Sequence, residues 1–249
     1  MKRSTRWLLA LCGLGLGALG VHAQTTRPPV QARSNGDGGA AATVANPVDA
    51  RWRESLDAFA LADEAQAPQP GGVLFVGSSS IRLWSGLEAQ FAGETIVKRG
   101  FGGSRMFDCA AYLERLVLPY KPRLVIVYAG DNDLAEGRTP QQVLASFGTF
   151  VEGVRRALPD TRIAFLSIKP SPLRSALMPQ VVETNALVAD YSRHTPNLDY
   201  IDIYSKMLDE QGQPRAELFL PDALHLNTQG YALWRTVIAD HLRAPAPPR

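Results

Sequence analysis

The sequence contains four histidines, and only one of them has the neighbours of a general base. His22 lies in an N-terminal apolar run, His194 ends a helical stretch among Tyr191, Ser192 and Arg193, and His241 sits in the last amphipathic segment. His225 stands in the loop Leu220-Pro221-Asp222-Ala223-Leu224-His225-Leu226-Asn227, with Asp222 three residues earlier and able to reach its second ring nitrogen. A serine hydroxyl is a weak nucleophile at neutral pH and needs such a histidine, held in its working tautomer by a carboxylate. The turn Gly77-Ser78-Ser79-Ser80 supplies candidate hydroxyls. Each feature has a plainer reading. Asp222 could cap the helix that follows, and Ser-rich turns are mostly helix caps. The nucleophile-elbow pattern G-x-S-x-G is not met, because Ile81 occupies the last glycine position for Ser79.

Acyl transfer also needs donors aimed at the developing oxyanion. The run Gly100-Phe101-Gly102-Gly103-Ser104 can expose backbone amides, and Asn132 in Gly130-Asp131-Asn132-Asp133 offers a side-chain amide. Glycine turns serve backbone geometry in most proteins, and such an asparagine commonly bonds its own backbone. The glycine run fails the dinucleotide fingerprint, since Arg105 stands where its third glycine would be. Lys169, Ser171 and Arg174 are candidate substrate contacts, set against the commoner explanation of a Pro-rich loop with surface charges. Asp131, Asp133, Asp222 and His225 would be the residues of a metal-dependent phosphoesterase. Cys109 reads as a small packing residue.

Short apolar runs at Val73–Val76, Thr95–Val97, Leu124–Tyr128, Ile163–Ile168 and Tyr200–Ile203 read as buried strands. Amphipathic stretches over about 82–91, 106–117, 140–157, 180–193 and 228–242 read as helices between and after them. A further helix over Val48–Ala65 precedes the first strand and is expected to pack on the outside. Strands alternating with helices imply an α/β fold with a parallel sheet covered on both faces. In such a sheet ligands bind beyond the carboxyl ends of the strands, where the turns above all lie.

Lys2, Arg3 and Arg6 ahead of the apolar run Trp7–Val21, closing in Val-His-Ala, have the anatomy of a signal peptide at 1–23. The expectation is cleavage after Ala23 and a periplasmic or secreted protein with no stable membrane span; the alternative is an uncleaved membrane anchor. Processing removes three positive charges and no negative one, so the formal charge moves from +2 to −1. Nothing then suggests a phosphate-tracking surface, and no nucleic-acid partner is expected. Residues 24–47, poor in large apolar side chains, read as a flexible leader. Residues 48–243 form one domain's worth of chain, and 244–249 a disordered tail.

Taken in order, these segments resemble the SGNH or GDSL hydrolase superfamily: Ser79 in Val-Gly-Ser-Ser-Ser-Ile, Gly103 in Arg-Gly-Phe-Gly-Gly-Ser, Asn132 in Gly-Asp-Asn-Asp, and Asp222 with His225, extended by Asn227 and Gly230-Tyr231. The match covers about 70–243. It departs from the family at Ser78, where an aspartate usually stands. The resemblance implies a flavodoxin-like three-layer α/β/α sandwich with a five-stranded parallel sheet of order 2-1-3-4-5. It also implies a catalytic set of Ser79, Asp222 and His225, an oxyanion hole from the Ser79 and Gly103 amides with the Asn132 side chain, and no cofactor or metal. The function it implies is hydrolysis of small-molecule or glycan acyl esters, with short or carbohydrate-borne acyl groups favoured by export and the lack of a long apolar lid segment. Two other readings stay open: a polysaccharide-binding protein that has lost catalysis on the same fold, and the metal-dependent phosphoesterase.

Overall fold

The computed structural model describes residues 50–244. The segments expected to be a signal peptide at 1–23 and a leader at 24–47, and the tail beyond Ala244, lie outside the described residues. Five strands, β1 Val73–Gly77, β2 Ile96–Gly100, β3 Leu124–Tyr128, β4 Arg162–Leu166 and β5 Leu198–Ile201, form one sheet of order β2-β1-β3-β4-β5. All four pairings are parallel. This is the three-layer arrangement and strand order expected from the resemblance.

The helices are α1 Ala50–Ala65, α2 Ser79–Arg82, α3 Leu87–Gln90, α4 Met106–Ala111, α5 Leu113–Leu116, α6 Asp131–Ala135, α7 Pro140–Ala157, α8 Met178–Arg193 and α9 Thr228–Arg243. Alternate strand side chains point to opposite faces of the sheet, so the core has two halves. Leu74, Val76, Val125, Val127, Ile163 and Phe165 meet α1, α4, α5, α7 and α8 on one face. Val73, Phe75, Leu124, Ile126, Tyr128 and Leu166 meet Ile81, Trp84 and Leu87 with Trp234 and Ile238 of α9 on the other. Buried on both faces, β1 and β3 read as unbroken apolar runs.

Several boundaries differ from the sequence expectation. The helix expected over about 82–91 is two single turns, α2 and α3, because Gly86 adopts a left-handed conformation with φ +63° between them. A turn at Tyr112 likewise divides the stretch expected over 106–117. Strand β4 stops at Leu166 rather than Ile168. The Ile168 amide and carbonyl bond the Asn185 side chain at 2.8 and 3.0 Å instead of a strand. Strand β5 runs two residues earlier than expected, since the Ile203 and Tyr204 amides are taken by the Ser167 hydroxyl at 3.0 and 2.9 Å.

Candidate active site

At its carboxyl end β1 turns into α2 with Gly77 at φ +145°, where a Cβ would lie 1.9 Å from the Tyr128 carbonyl oxygen. Only glycine fits that approach, and it sets the three serines in different surroundings. Ser78 and Ser80 are buried, 0% and 1% exposed, with hydroxyls that have no partner. Ser78 stands at the N-cap of α2 yet makes no side-chain cap bond. Ser79 is half-buried and faces a cleft of about 610 Å³ shared with Gly102, Gly103, Asn132, Leu224 and His225.

His225 Nε2 stands 3.1 Å from Ser79 Oγ, and His225 Nδ1 stands 2.7 Å from Asp222 Oδ2. The second carboxylate oxygen of Asp222 accepts the Leu224 and His225 amides at 3.0 and 2.9 Å. The His225 amide and ring, with the Leu224 amide, hold the Asp222 carboxyl down at about 2. Asp222 therefore ties its own turn together, and the capping of α9 falls to Asn227, which accepts the Gln229 and Gly230 amides. A carboxylate, an imidazole and a hydroxyl in series are arranged to move a proton off the hydroxyl.

Gly103 has φ +80°, and its amide makes no backbone hydrogen bond among the described residues. Asn132 lies in the first turn of α6, a helix without a sequence expectation, and donates from Nδ2 to the Ser104 carbonyl at 2.9 Å. Its Oδ1 accepts from Arg174 Nη2 at 2.8 Å, so Asn132 does not bond its own backbone.

The remaining candidates are placed differently. Lys169 and Ser171 are each 2% exposed. They are thus corrected from substrate contacts to interior groups, because burial beneath the loop removes them from any ligand. Lys169 pairs with Asp131 at 2.9 Å. Burial alone would push the Asp131 carboxyl up, but Lys169 and Arg174 beside it hold it below the ordinary carboxylate range. Asp133 accepts the Met106 amide at 2.8 Å and is pushed up by burial. These two carboxylates are engaged apart from Asp222 and His225, and among the described residues no three acidic, histidine or cysteine side chains group as metal ligands. Cys109 is free and fully buried in the core.

Helix α1 was expected on the outside; it packs on the sheet and also supplies a wall of the cleft through Arg51, Trp52, Glu54, Ser55 and Ala58. No pattern in the Val48–Ala65 stretch signals this, since its contacts are all distant in sequence.

Residues 71–233 match the model of the GDSL-like lipase/acylhydrolase family, and the chain belongs to that family. The solved structures it resembles include a Streptococcus pneumonia protein described provisionally as a platelet activating factor, 20% identical with a TM-score of 0.70, covering 77% of this chain and 92% of that one. A GDSL-like lipase from Bacteroides thetaiotaomicron is 18% identical with a TM-score of 0.64, over 75% of this chain and 96% of its own. A family 3 carbohydrate esterase from Clostridium thermocellum is 15% identical with a TM-score of 0.54, over 69% and 98%. At these identities the likeness is one of fold. A search of the curated proteins found no match. Among the described residues no helix is long and apolar enough to cross a membrane.

Proposed function

We propose that this acylhydrolase-family protein is an exported serine esterase that cleaves carboxylic esters through an acyl-enzyme on Ser79. The observation that carries the reading is the unbroken series from Asp222 through His225 to Ser79, at 2.7 and 3.1 Å. His225 takes the Ser79 proton as Oγ attacks the ester carbonyl carbon. The oxyanion is held by the Ser79 and Gly103 amides and by Asn132 Nδ2. His225 then returns the proton to the departing alcohol, and a water activated by the same ring clears the acyl group from Ser79. Asp222 holds the ring tautomer and stabilises the imidazolium.

The cleft wall favours a polar ester over a long-chain lipid. Glu54, Ser55 and Arg82 line it beside the Trp52 ring, a mixture suited to a short acyl group carried on a small molecule or a glycan. Export is supported by Lys2, Arg3 and Arg6 ahead of Trp7–Val21, and a secreted form beginning at Gln24 is the expected product.

The test incubates the protein with p-nitrophenyl acetate and longer esters, with and without a fluorophosphonate, and maps any adduct by peptide mass. The expected result is an adduct on Ser79 that abolishes hydrolysis, with acetate turned over faster than longer chains. Hydrolysis indifferent to the reagent, or none, overturns the serine mechanism.

A further inference from the structure

One cation beside the cleft has no part in the mechanism above. Asp131 and Lys169 are buried, 5% and 2% exposed, and neutralise each other across 2.9 Å. Lys169 also donates to the Tyr128 hydroxyl at 3.0 Å. Arg174 nevertheless brings a second positive charge to the same carboxylate, with Nη1 3.2 Å from Asp131 Oδ2. Charge balance at Asp131 does not call for it. What Arg174 adds is on its other nitrogen, Nη2, which donates to Asn132 Oδ1 at 2.8 Å.

A side-chain amide has two faces that differ only in which end carries the hydrogens, and turning it over exchanges donor for acceptor. A guanidinium carries donors alone, and the Ser104 carbonyl is an acceptor alone. With Arg174 on one side and Ser104 on the other, only one orientation of the Asn132 amide satisfies both, and it leaves the second Nδ2 hydrogen for the cleft that Asn132 shares with Ser79. Turned over, the amide would present its oxygen to an oxyanion and repel it.

We propose that Arg174 is a positioning residue that locks the Asn132 amide with its NH2 group toward the carbonyl oxygen of a bound ester. The inference rests on the serine esterase reading. Asp131 holds the guanidinium in place by charge, and a planar guanidinium so held aims its Nη2 donor at Asn132 Oδ1 along a set direction in a way a single ammonium on a flexible stem does not. The backbone supports the same geometry: the Leu173 amide donates to the Ala223 carbonyl at 3.0 Å, so the segment carrying Arg174 is tied to the turn carrying Asp222 and His225. With Nη2 given to Asn132 and Nη1 buried beside Asp131 as an ion pair without a hydrogen bond, Arg174 is turned away from the role of substrate contact that its sequence position suggested.

The test compares Arg174→Ala, Arg174→Lys, Asn132→Ala and the double variant Arg174→Ala/Asn132→Ala in the full chain. Steady-state hydrolysis of p-nitrophenyl acetate and the thermal midpoint are measured for each. Loss of one oxyanion donor lowers kcat by about 100- to 1,000-fold. Misorienting that donor is expected to lower kcat by about 10- to 100-fold, with KM within about twofold of the parent. In the Asn132→Ala background the Arg174→Ala change costs nothing further, because the two act as one unit. Arg174→Lys keeps a cation beside Asp131 and so the thermal midpoint, yet still loses at least about tenfold in kcat for want of the planar donor aimed at Asn132 Oδ1. If Arg174→Ala does not fold, the lysine variant and its combination with Asn132→Ala carry the same comparison.

Additive losses in the double variant, full activity in Arg174→Lys, or a raised KM with kcat unchanged each overturn the positioning role while leaving the esterase reading in place. A parent protein that neither hydrolyses the ester nor forms the Ser79 adduct overturns that reading, and the inference with it.

Discussion

Trp52 meets Phe101 edge to face, with ring centroids 5.3 Å apart. The contact fastens α1 to the turn that carries Gly102 and Gly103, and so makes a helix lying ahead of the first strand part of the cleft wall. Trp52 is 3% exposed, and truncating a buried tryptophan leaves a cavity as well as a lost transfer term. Trp52→Ala is expected to lower stability by about 3–5 kcal/mol and to raise KM for ester substrates, whereas Trp52→Phe keeps most of both. Denaturant unfolding gives the first quantity and steady-state kinetics the second. An alanine variant as stable as its parent would show that α1 does not lean on this ring.

The three serines after β1 give a sharper prediction, because they differ in surroundings rather than in type. The Ser78 hydroxyl is buried without a partner, so Ser78→Ala removes a polar group that gains nothing from burial. Stability should stay level or rise by up to about 1 kcal/mol, with kcat/KM within about threefold of the parent. Ser79→Ala is expected to lower kcat by about 10³-fold or more without a change in the denaturant midpoint. An inactive Ser78→Ala beside an active Ser79→Ala would falsify the assignment of the nucleophile.

The local alphabet of the sequence reached the sheet and the pairing of Asp222 with His225, since both are written in short segments. Val73–Val76 and Leu124–Tyr128 are buried on both faces and show it by composition, and Asp222 and His225 are three residues apart on one turn. Strand order came with the family resemblance, as alternation of strands and helices states only that the sheet is parallel. What was not legible depends on partners far away in the chain. Strands β4 and β5 end where they do because the Asn185 and Ser167 side chains take over backbone groups that a ladder would otherwise bond. Lys169 looks like a surface charge until Asp131, 38 residues earlier, is placed against it. The same holds for Arg174 and Asn132, 42 residues apart, and for α1, whose place in the cleft follows from Phe101.

The Asp131 carboxylate faces Lys169, Arg174 and the Tyr128 hydroxyl at once, with Asp133 close enough to feel its charge. Removing one partner of a buried pair strands the other, and Asp131→Asn is expected to cost about 3–5 kcal/mol at neutral pH. The sign of the pH dependence follows from the lowered Asp131 carboxyl. A carboxyl that ionises more readily in the folded than in the unfolded chain contributes stability fully above its ordinary value, here 3.8, and loses it as pH falls below that value. The gap in thermal midpoint between parent and Asp131→Asn should therefore hold steady above about pH 5 and narrow on further acidification. A gap that instead widens in acid would mean that Asp131 is not the ionised partner of Lys169 and Arg174.

Asp222 is open to solvent beside its histidine, with its side chain 46% exposed, so its role should show in rate rather than stability. In Asp222→Asn the amide oxygen can still accept the Leu224 and His225 amides. Its NH2 group, turned to the ring, donates where the carboxylate accepted, which forces the proton of His225 from Nδ1 to Nε2. A protonated Nε2 cannot take the Ser79 proton, and kcat is expected to fall by about 10³- to 10⁴-fold. Because the parent carboxyl is held at about 2, Asp222 stays ionised throughout the range above pH 4 and loses its charge only as the pH approaches that value. An acid-side decline in activity above pH 4 therefore does not arise from Asp222. Asp222→Asn should lower the plateau of the pH–rate profile, and a variant that keeps the plateau would place the carboxylate outside the proton relay.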